Sequence, residues 1–288
     1  MTQQIIGKTF DEERALYGLR DASVTDCVFA GPADGESVLK ECHEVAVEDC
    51  RFSLRYPMWH DKGFTLKHSS MDELTRAALW YAEEGLIEDC TLGGIKAVRE
   101  CSRVTLRRCE ITSPEFGWKC DGITLEDSVI TSEYLFLDSR DVALKNVRMK
   151  GKYSFQYMHD LTIENSELDT KDAFWHSTNV TVRNCTVKGE YLGWFSDGLT
   201  LIDCRIIGTQ PLCYCKNLKL VNCTMEATDL SFEYSEVEAD VRGHIDSVKN
   251  PKSGTIVCDS VGEIIREDAV MACTGRIILR GQSEEVSA

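Results

Sequence analysis

The sequence contains only five prolines and no run of apolar residues long enough to cross a membrane. With no Ser/Gly-rich linker either, the chain is not expected to divide into separate domains. Positive charge is in the minority, with 32 Lys and Arg against 48 Asp and Glu, and the net charge is −16. Because an acidic surface repels phosphate backbones, we expect no nucleic-acid partner. A transmembrane helix needs about eighteen or more apolar residues, so no membrane partner is expected.

The opening MTQQIIGKTFDEERALYGL also lacks the basic segment and apolar segment of a secretory signal, so a cytoplasmic protein is predicted. Fourteen cysteines nevertheless occur. Disulfide frameworks are typical of short secreted chains, whereas reduced buried thiols behave as small apolar residues. We therefore favour thiols over disulfides and expect no essential disulfide.

A short phrase recurs along the chain, as in LIEDC, VTLRRC, LTIENS and LKLVNC. Its ends at 90, 109, 128, 147, 166, 185, 204 and 223 are each 19 residues apart. Alternating apolar and polar residues within the phrase predict a strand with one buried face. The repeat therefore predicts an all-β fold, a right-handed single-stranded parallel β-helix with coils of about 19 residues and three short strands per coil.

Stacking of the coils places equivalent residues in columns. A small, uncharged column that should point inward contains Cys27, Cys50, Cys90, Cys109, Cys185, Cys204 and Cys223. The column just before it contains Asp26, Asp49, Asp89, Asp127, Asn146, Asn165, Asn184, Asp203 and Asn222. Asp and Asn tolerate left-handed backbone, so this column should form a corner of the coil. Neither column is interpreted as a metal site, and no cofactor is expected.

We predict one domain over 1–288, with an N-terminal cap at 1–22, regular coils at 23–235 and irregular C-terminal coils or a cap at 236–288. Residues 72–85, DELTRAALWYAEEG, have the composition of an amphipathic helix. The repeat nevertheless places them in the coil that ends at Cys90. We expect this context to override helix propensity.

The predicted third strand is unusual, with copies such as EFGWKC, YLFLDS, DAFWHS, YLGWFS and DLSFEY. Its first and fifth positions are too often charged for a narrow core, so both should face water. Strict alternation then exposes the third position and buries the fourth. The third position holds Phe136, Phe155 and Phe174, and the fourth holds Trp118, Trp175 and Trp194. A β-bulge would instead reverse this parity and place the tryptophans outside.

These strands form a surface, the aromatic strip, that predicts a saccharide-binding groove. It consists of Trp118, Lys119, Tyr134, Tyr153, Tyr157, Trp175, Tyr191, Trp194, Tyr214 and Glu233. Aromatic faces stack on pyranose rings, while charged groups bind the hydroxyls. The alternative is a covered surface on a non-catalytic scaffold, such as a homo-oligomer contact or a face under a loop. A saccharide and a second copy of the chain are therefore the two expected partners.

Three residues are candidates for catalysis. His176 titrates near neutral pH when unperturbed, which suits proton transfer. Glycoside hydrolysis needs two carboxyls about 5–9.5 Å apart. Asp138 and Asp172 are two coils apart in different columns, so we expect a larger separation. Neighbouring opposite charges, such as Lys171 and Glu190, predict ion pairs along the coils instead.

Several phrases point to a family: ERALYGL (13–19), YPMWH (56–60), KDAFWHSTNVTVRNC (171–185), GEYLGWFSDGLTL (189–201), GTQPLCYCKNL (208–218) and TDLSFEYSEVEA (228–239). Over most of its length the chain resembles the bacterial proteins grouped as domain of unknown function 3737. The resemblance implies a pectin-lyase-like right-handed β-helix and a cytoplasmic protein of a kind common in gut bacteria. It implies no activity, so it transfers no catalytic residue. Neither the Asp cluster of polygalacturonases nor the Ca²⁺/Arg arrangement of pectate lyases is evident.

Overall fold

The computed structural model describes residues 3–281. The fold is a right-handed parallel β-helix of about 15 turns with a spacing of about 19 residues, which confirms the prediction from the repeat. The chain divides into two compact units, unit 1 (Met1–Arg148) and unit 2 (Met149–Ala288). The single domain predicted over 1–288, with its caps, stays a prediction. No helix among the described residues is long and apolar enough to cross a bilayer.

Unit 1 is built from short strands that pair in parallel with the next coil. They are β1 (Gln3–Ile6), β2 (Thr9–Phe10), β3 (Arg20–Thr25), β4 (Val28–Phe29), β5 (His43–Glu48), β6 (Arg51–Phe52), β7 (Met58–Trp59), β8 (Lys62–Lys67), β9 (Ser70–Met71), β10 (Leu79–Trp80), β11 (Glu83–Glu88), β12 (Thr91–Leu92), β13 (Val98–Arg99), β14 (Ser102–Arg107), β15 (Glu110–Thr112), β16 (Asp121–Glu126), β17 (Val129–Ser132) and β18 (Arg140–Lys145). The longer strands stack in the order β1–β3–β5–β8–β11–β14–β16–β18. Strands β7, β10 and β13 form a separate three-stranded sheet.

Unit 2 continues the same plan. Its strands are β19 (Arg148–Tyr153), β20 (His159–Glu164), β21 (Glu167–Lys171), β22 (Thr178–Arg183), β23 (Thr186–Lys188), β24 (Asp197–Ile202), β25 (Arg205–Ile207), β26 (Leu218–Glu226), β27 (Glu236–Arg242), β28 (His244–Lys249), β29 (Ser253–Cys258), β30 (Ser260–Ile265) and β31 (Arg276–Leu279). The main ladder runs β20–β22–β24–β26–β27–β29–β31. Its register advances by one coil at each step, as in Thr178 opposite Asp197.

The two predicted columns are confirmed. All seven cysteines of the inward column are buried, with exposures of 4% or less. Every Asp and Asn of the corner column has a positive φ, between 50° and 54°. Amide side chains join the corner across coils, for example Asn184 Nδ2 to Asn165 Oδ1 at 2.8 Å. Short polar side chains suit this corner because they tolerate left-handed backbone and bond locally.

The predicted parity of the third side is wrong. Phe136, Phe155 and Phe174 are buried with exposures of 1% or less. The tryptophans at the fourth position are half-exposed. This agrees with the alternative in which a reversed parity places them outside.

The reason lies in the backbone of this side. In unit 2 it is formed by hydrogen-bonded turns, and in the coils whose third side begins at Asp172, Tyr191 and Gln210 the first, third and fifth positions are left-handed. Asp172, Phe174 and His176 have φ values of 49°, 64° and 54°. Strict alternation of side chains requires extended backbone, so it does not apply here.

Residues 72–85 form no α-helix, as predicted. They contain a single 3₁₀ turn, η1 (Glu73–Thr75), whose first turn is capped by Asp72 Oδ1 accepting from Leu74 N at 3.0 Å. The rest of the segment enters β10 and β11. Pairing with the neighbouring coils therefore outweighs the helix propensity of its Ala, Leu and Glu residues.

Candidate functional site

A column of stacked rings, here called the aromatic ladder, runs along the third side of unit 2. It consists of Tyr157, His176, Phe195, Tyr214 and Tyr234. Successive ring centroids are 5.1, 5.0, 4.8 and 5.6 Å apart. The first three pairs are parallel within 15°, whereas the last is tilted by 42°. The faces of His176 and Phe195 are thus covered on both sides, and these rings present their edges to solvent.

The tryptophans of unit 2 are held by the backbone of the next coil. Trp175 and Trp194 stack with centroids 5.4 Å apart and planes at 5°. Trp175 Nε1 donates to the carbonyl of Tyr191 at 2.6 Å, and Trp194 Nε1 donates to that of Gln210 at 2.8 Å. Each indole N–H therefore donates to the backbone carbonyl of the residue at the first position of the following coil. These bonds indicate a structural role for both tryptophans.

A cleft of about 680 Å³ opens where the second strand of the unit 2 coils meets the third side. It is lined by Asp169, Thr170, Lys171, Lys188, Gly189, Glu190, Ile207, Gly208, Thr209, Ala227, Asp229 and Asp246. Its middle column, Thr170, Gly189, Gly208 and Ala227, contains only small residues at 19-residue spacing. A Cβ on Gly208 would lie 2.2 Å from the carbonyl oxygen of Gly189. The close approach of successive coils therefore requires glycine at this position.

Charged side chains form the walls of the cleft. Lys171 Nζ lies 3.0 Å from Glu190 Oε2, which confirms the predicted ion pair, and Lys188 Nζ lies 3.5 Å from Asp169 Oδ1. The hydrogen bond with Glu190 raises the pKa of Lys171. All four side chains are 42–60% exposed, so the charged groups remain accessible from the cleft.

Two tyrosines of the aromatic strip occupy the first position of their coils and contact lysines. Lys152 Nζ lies 4.6 Å from the ring centroid of Tyr153, and Lys171 Nζ lies 5.4 Å from that of Tyr191. Tyr191 also meets the indole of Trp194 edge-on at 5.4 Å. Tyr191 directly follows the cleft residue Glu190 in sequence and contacts the cleft residue Lys171.

The three catalytic candidates lie in different surroundings. Asp172 is buried, with 8% exposed, and this burial raises the pKa of its carboxyl. His176 is exposed within the aromatic ladder, between two rings. Asp138 is exposed on unit 1. The strip residue Glu233 is already paired, because its Oε1 lies 2.9 Å from Lys249 Nζ.

Three residues of the aromatic strip, Trp118, Lys119 and Tyr134, belong to unit 1. Trp118 Nε1 donates to the carbonyl of Tyr134 at 2.8 Å, as the tryptophans of unit 2 do to their next coil. The ring of Trp118 also lies 6.0 Å from that of Tyr134, edge-on. Lys119 is exposed.

Further aromatic residues of unit 1 lie on this side and were not predicted from the sequence. Trp59 and Trp80 meet edge-on at 5.0 Å, and the Arg99 guanidinium lies 5.2 Å from the Trp80 ring and 5.4 Å from the Trp118 ring. They were missed because two extra residues before Cys90 shift the register of the repeat. The signal that could have found them is the pair of phrases YPMWH and LWYAE, which align once this insertion is allowed.

One carboxyl in unit 1 is buried inside the coil. Asp61 is 1% exposed and its Oδ1 accepts a hydrogen bond from Cys42 N at 2.9 Å. Its Oδ2 has no hydrogen-bond partner among the described residues. Burial raises the pKa of Asp61 well above its usual range. Within residues 3–281, no group of three or more His, Cys, Asp or Glu is arranged to hold a metal ion.

The sequence profile of a family described as a protein of unknown function, DUF3737, matches residues 3–278. The chain belongs to the DUF3737 family. No curated protein matches it significantly.

Solved structures similar to this DUF3737 protein share little sequence with it. A mannuronic acid specific family 6 polysaccharide lyase from human gut microbiota has 8% identity and a TM-score of 0.43, over 98% of this chain and 83% of the lyase. The surface adhesin PfbA of Streptococcus pneumoniae has 9% identity and a TM-score of 0.42, over 79% and 72%. The A-module of a mannuronan C-5 epimerase from Azotobacter vinelandii has 11% identity and a TM-score of 0.33, over 96% and 91%. Likenesses of this degree carry no information on the ligand.

Two surfaces of this DUF3737 protein therefore differ in chemistry. The aromatic ladder offers ring edges and uses its ring faces internally. The cleft offers ammonium donors and carboxylate acceptors that converge on a concave space. Its volume lies within the roughly 300–1,000 Å³ of typical small-molecule sites.

Proposed function

We propose that unit 2 binds a saccharide in the cleft between Asp169 and Asp246, with Tyr191 of the aromatic strip next to it. The observation that carries the proposal is a concave space with charged donors and acceptors on both walls. Such convergence of a few polar groups in a cleft is typical of ligand sites. The proposal covers binding and does not require catalysis.

The chemistry of the walls suits hydroxyl groups. A hydroxyl donates one hydrogen bond and accepts others, so it matches an ammonium and a carboxylate side by side. The pairs Lys171–Glu190 and Lys188–Asp169 each offer both kinds of group. Their exposure means that a ligand can reach them without displacing buried contacts.

The shape of the cleft suits a chain of sugars. Equivalent positions of successive coils line it, and stacked strands are spaced about 4.8 Å apart. Gly189 and Gly208 leave the centre of its middle column without side chains. A linear saccharide laid along the coils would meet Asp169 and Lys171 at one step, Lys188 and Glu190 at the next, and Ile207 and Thr209 at the third.

The test is calorimetric titration of the purified full chain with a panel of neutral and acidic oligosaccharides. Glu190→Gln should weaken binding about tenfold to a hundredfold, since a hydrogen bond to a charged group contributes about 1.5–3 kcal/mol. Glu110→Gln is the matched control, because Glu110 is an exposed carboxylate on unit 1. Absence of binding to every saccharide, or equal binding by both variants, would contradict the proposal.

If the protein also turns a saccharide over, Asp172 is the group that would transfer the proton. It precedes Ala173 on the third side, directly after the cleft residue Lys171, and its raised pKa suits a carboxylic acid that donates a proton. Asp172→Asn should then abolish product formation while saccharide binding stays intact. Turnover that persists in this variant would exclude Asp172 as the acid.

A second candidate function is self-association through the aromatic ladder, as a non-catalytic scaffold. Tyr157 and Phe195 are 49% and 44% exposed, which leaves large rings at the surface. Contiguous exposed apolar surface often marks an interface. A dimer mass in solution, lost in Phe195→Ser, would support this function. A monomeric mass at high protein concentration would exclude it.

The compartment that we propose is the cytoplasm. Thirteen cysteines are buried and free in the structure, and thiols persist in reducing compartments. Fractionation of cells that produce the untagged protein tests this location. Recovery from the medium or from an oxidising compartment would contradict it.

A further inference from the structure

The charges that line the unit 2 cleft are unequal in number. Two lysines face four carboxylates, which are Asp169, Glu190, Asp229 and Asp246. Each lysine already has its own carboxylate, because Lys171 pairs with Glu190 and Lys188 with Asp169. The other two carboxylates leave the lining with an excess of negative charge.

From this imbalance we infer that the cleft takes an uncharged, hydroxyl-rich saccharide and rejects chains of uronic acids. The inference rests on the proposed saccharide function and narrows its ligand class. The structural basis is that no lysine of the cleft is left over to neutralise a carboxylate on the ligand.

The two excess carboxylates differ in their surroundings. The Asp229 side chain is exposed and makes no hydrogen bond or ion pair with the described residues. Asp246 Oδ2 accepts a hydrogen bond from Thr228 N at 2.8 Å, and His244 Nε2 lies 3.8 Å from its Oδ1. Asp229 is thus the carboxylate best placed to accept hydroxyl donors from a ligand.

A uronate would be repelled both by the carboxylates inside the cleft and, at longer distance, by the net negative charge of the whole protein. Close by, it would have to take a lysine from Glu190 or Asp169 and leave that carboxylate unpaired, and like charges placed together cost several kcal/mol in recognition. Farther away, the net charge of −16 lowers the rate at which any polyanion approaches. A neutral hydroxyl avoids both penalties and bonds to the paired groups as they are.

The experiment compares two linear hexasaccharides of equal length, a neutral glucan fragment and a galacturonate fragment, by calorimetry on the full chain. The neutral chain should bind at least about tenfold more tightly at low salt. Raising the salt to about 0.5 M should narrow this difference, because screening weakens the repulsion.

Charge reversal sharpens the test. Asp229→Lys should raise the affinity for galacturonate about tenfold or more, whereas the control Glu110→Lys, on unit 1, should leave it unchanged. Circular dichroism and the melting temperature confirm that both variants are folded.

The outcomes separate the two proposals. Galacturonate binding that equals or exceeds that of the neutral chain overturns the inference on ligand class and leaves the saccharide site standing. An Asp229→Lys variant without improved galacturonate binding also counts against the inference. Failure of both hexasaccharides, and of the wider panel, to bind overturns the saccharide site itself.

Discussion

The third sides of the two units use aromatic residues in different ways. In unit 2 the rings lie against one another, as in the ladder from Tyr157 to Tyr214 and in the Trp175–Trp194 pair. In unit 1 rings also contact one another, as Trp59 and Trp80 do, but a cation lies within the tryptophan column, with Arg99 between the indoles of Trp80 and Trp118. Both arrangements occupy ring faces inside the protein. A surface rich in aromatic residues is therefore not by itself a surface that offers ring faces to a ligand.

Buried polar groups are satisfied unevenly in both units, and in unit 2 those without a partner among the described residues include Thr228 Oγ1, Asn250 Oδ1 and Arg266 Nη1. Both indole N–H groups of Trp175 and Trp194 bond to carbonyls. In unit 1, Trp80 Nε1 and Arg99 Nη1 are buried with no partner among the described residues, and so is Asp61 Oδ2. Unpartnered buried groups cost stability. We expect substitutions to gain stability at an unpartnered group such as Asp61 and to lose it at a bonded one such as the Trp175 indole.

The largest effect is expected at the buried phenylalanines of unit 2. Phe174→Ala should destabilise by about 3–5 kcal/mol, as truncation of a buried Phe does. Phe195→Ala should cost only about 0.5 kcal/mol, because its ring is at the surface. The two positions have φ values of 64° and 61°, so the backbone cost of alanine is matched. If urea unfolding showed the same loss of unfolding free energy for both variants, the rings of the aromatic ladder would have to be buried rather than exposed.

The next largest effect is a gain in stability, expected from a substitution in unit 1. Asp61→Ser should stabilise the protein by about 1–3 kcal/mol at pH 8 by removing an unpartnered buried oxygen. A serine can still accept the hydrogen bond from Cys42 N. In the same column, Ser139 Oγ accepts such a bond from Cys120 N at 3.0 Å. Asp61→Ala is the control, because it leaves Cys42 N without an acceptor. Destabilisation by the serine variant would contradict this account of Asp61.

The Asp61 effect has a defined pH dependence. The folded pKa of Asp61 is raised above the unfolded value of about 3.9. A group of this kind favours the folded state fully below the unfolded pKa, and that contribution is lost as the pH rises towards the folded pKa. The advantage of Asp61→Ser should therefore grow from pH 4 to pH 8. An advantage that is constant with pH, measured by urea unfolding, would exclude the carboxyl as its cause.

A smaller effect is expected from single indole N–H groups. Trp175→Phe should cost about 1 kcal/mol more than Trp80→Phe, because only Trp175 donates to a carbonyl, that of Tyr191. Thermal unfolding of the two variants measures the difference. Equal losses would mean that packing alone explains the tryptophans.

The smallest effect is expected from reductant. All cysteines except Cys273 are buried, and burial raises the pKa of thiols such as Cys101 to about 12, so few thiolates form at pH 8. Brief alkylation of the native protein should therefore label Cys273 first, as seen by mass spectrometry. Mild reductant should leave the unfolding midpoint unchanged. A marked fall of the midpoint would reveal an essential disulfide.

The columns of the coil could be predicted from sequence because the period makes equivalent residues visible. Cys109 and Asn184 sit where the 19-residue spacing places them. The conformation of the third side could not be predicted in this way. Its left-handed residues include Phe174 and His176, and bulky side chains have no local preference for that backbone. The cleft escaped notice for another reason. Two glycines, Gly189 and Gly208, indicate a groove only when the three-dimensional positions of the side chains on either side of them are known.

The regular spacing of the coils has a consequence for how such a chain changes length. Thr178 and Asp197 are register partners in successive coils, so an in-frame deletion of the nineteen codons from Thr178 to Ser196 would join Ser177 to Asp197. Every column would lose one member and close again on residues of the same kind. Insertion of a duplicated coil would act in the reverse sense. The whole coil, rather than the single residue, is thus the unit by which duplication and deletion can lengthen or shorten this gene.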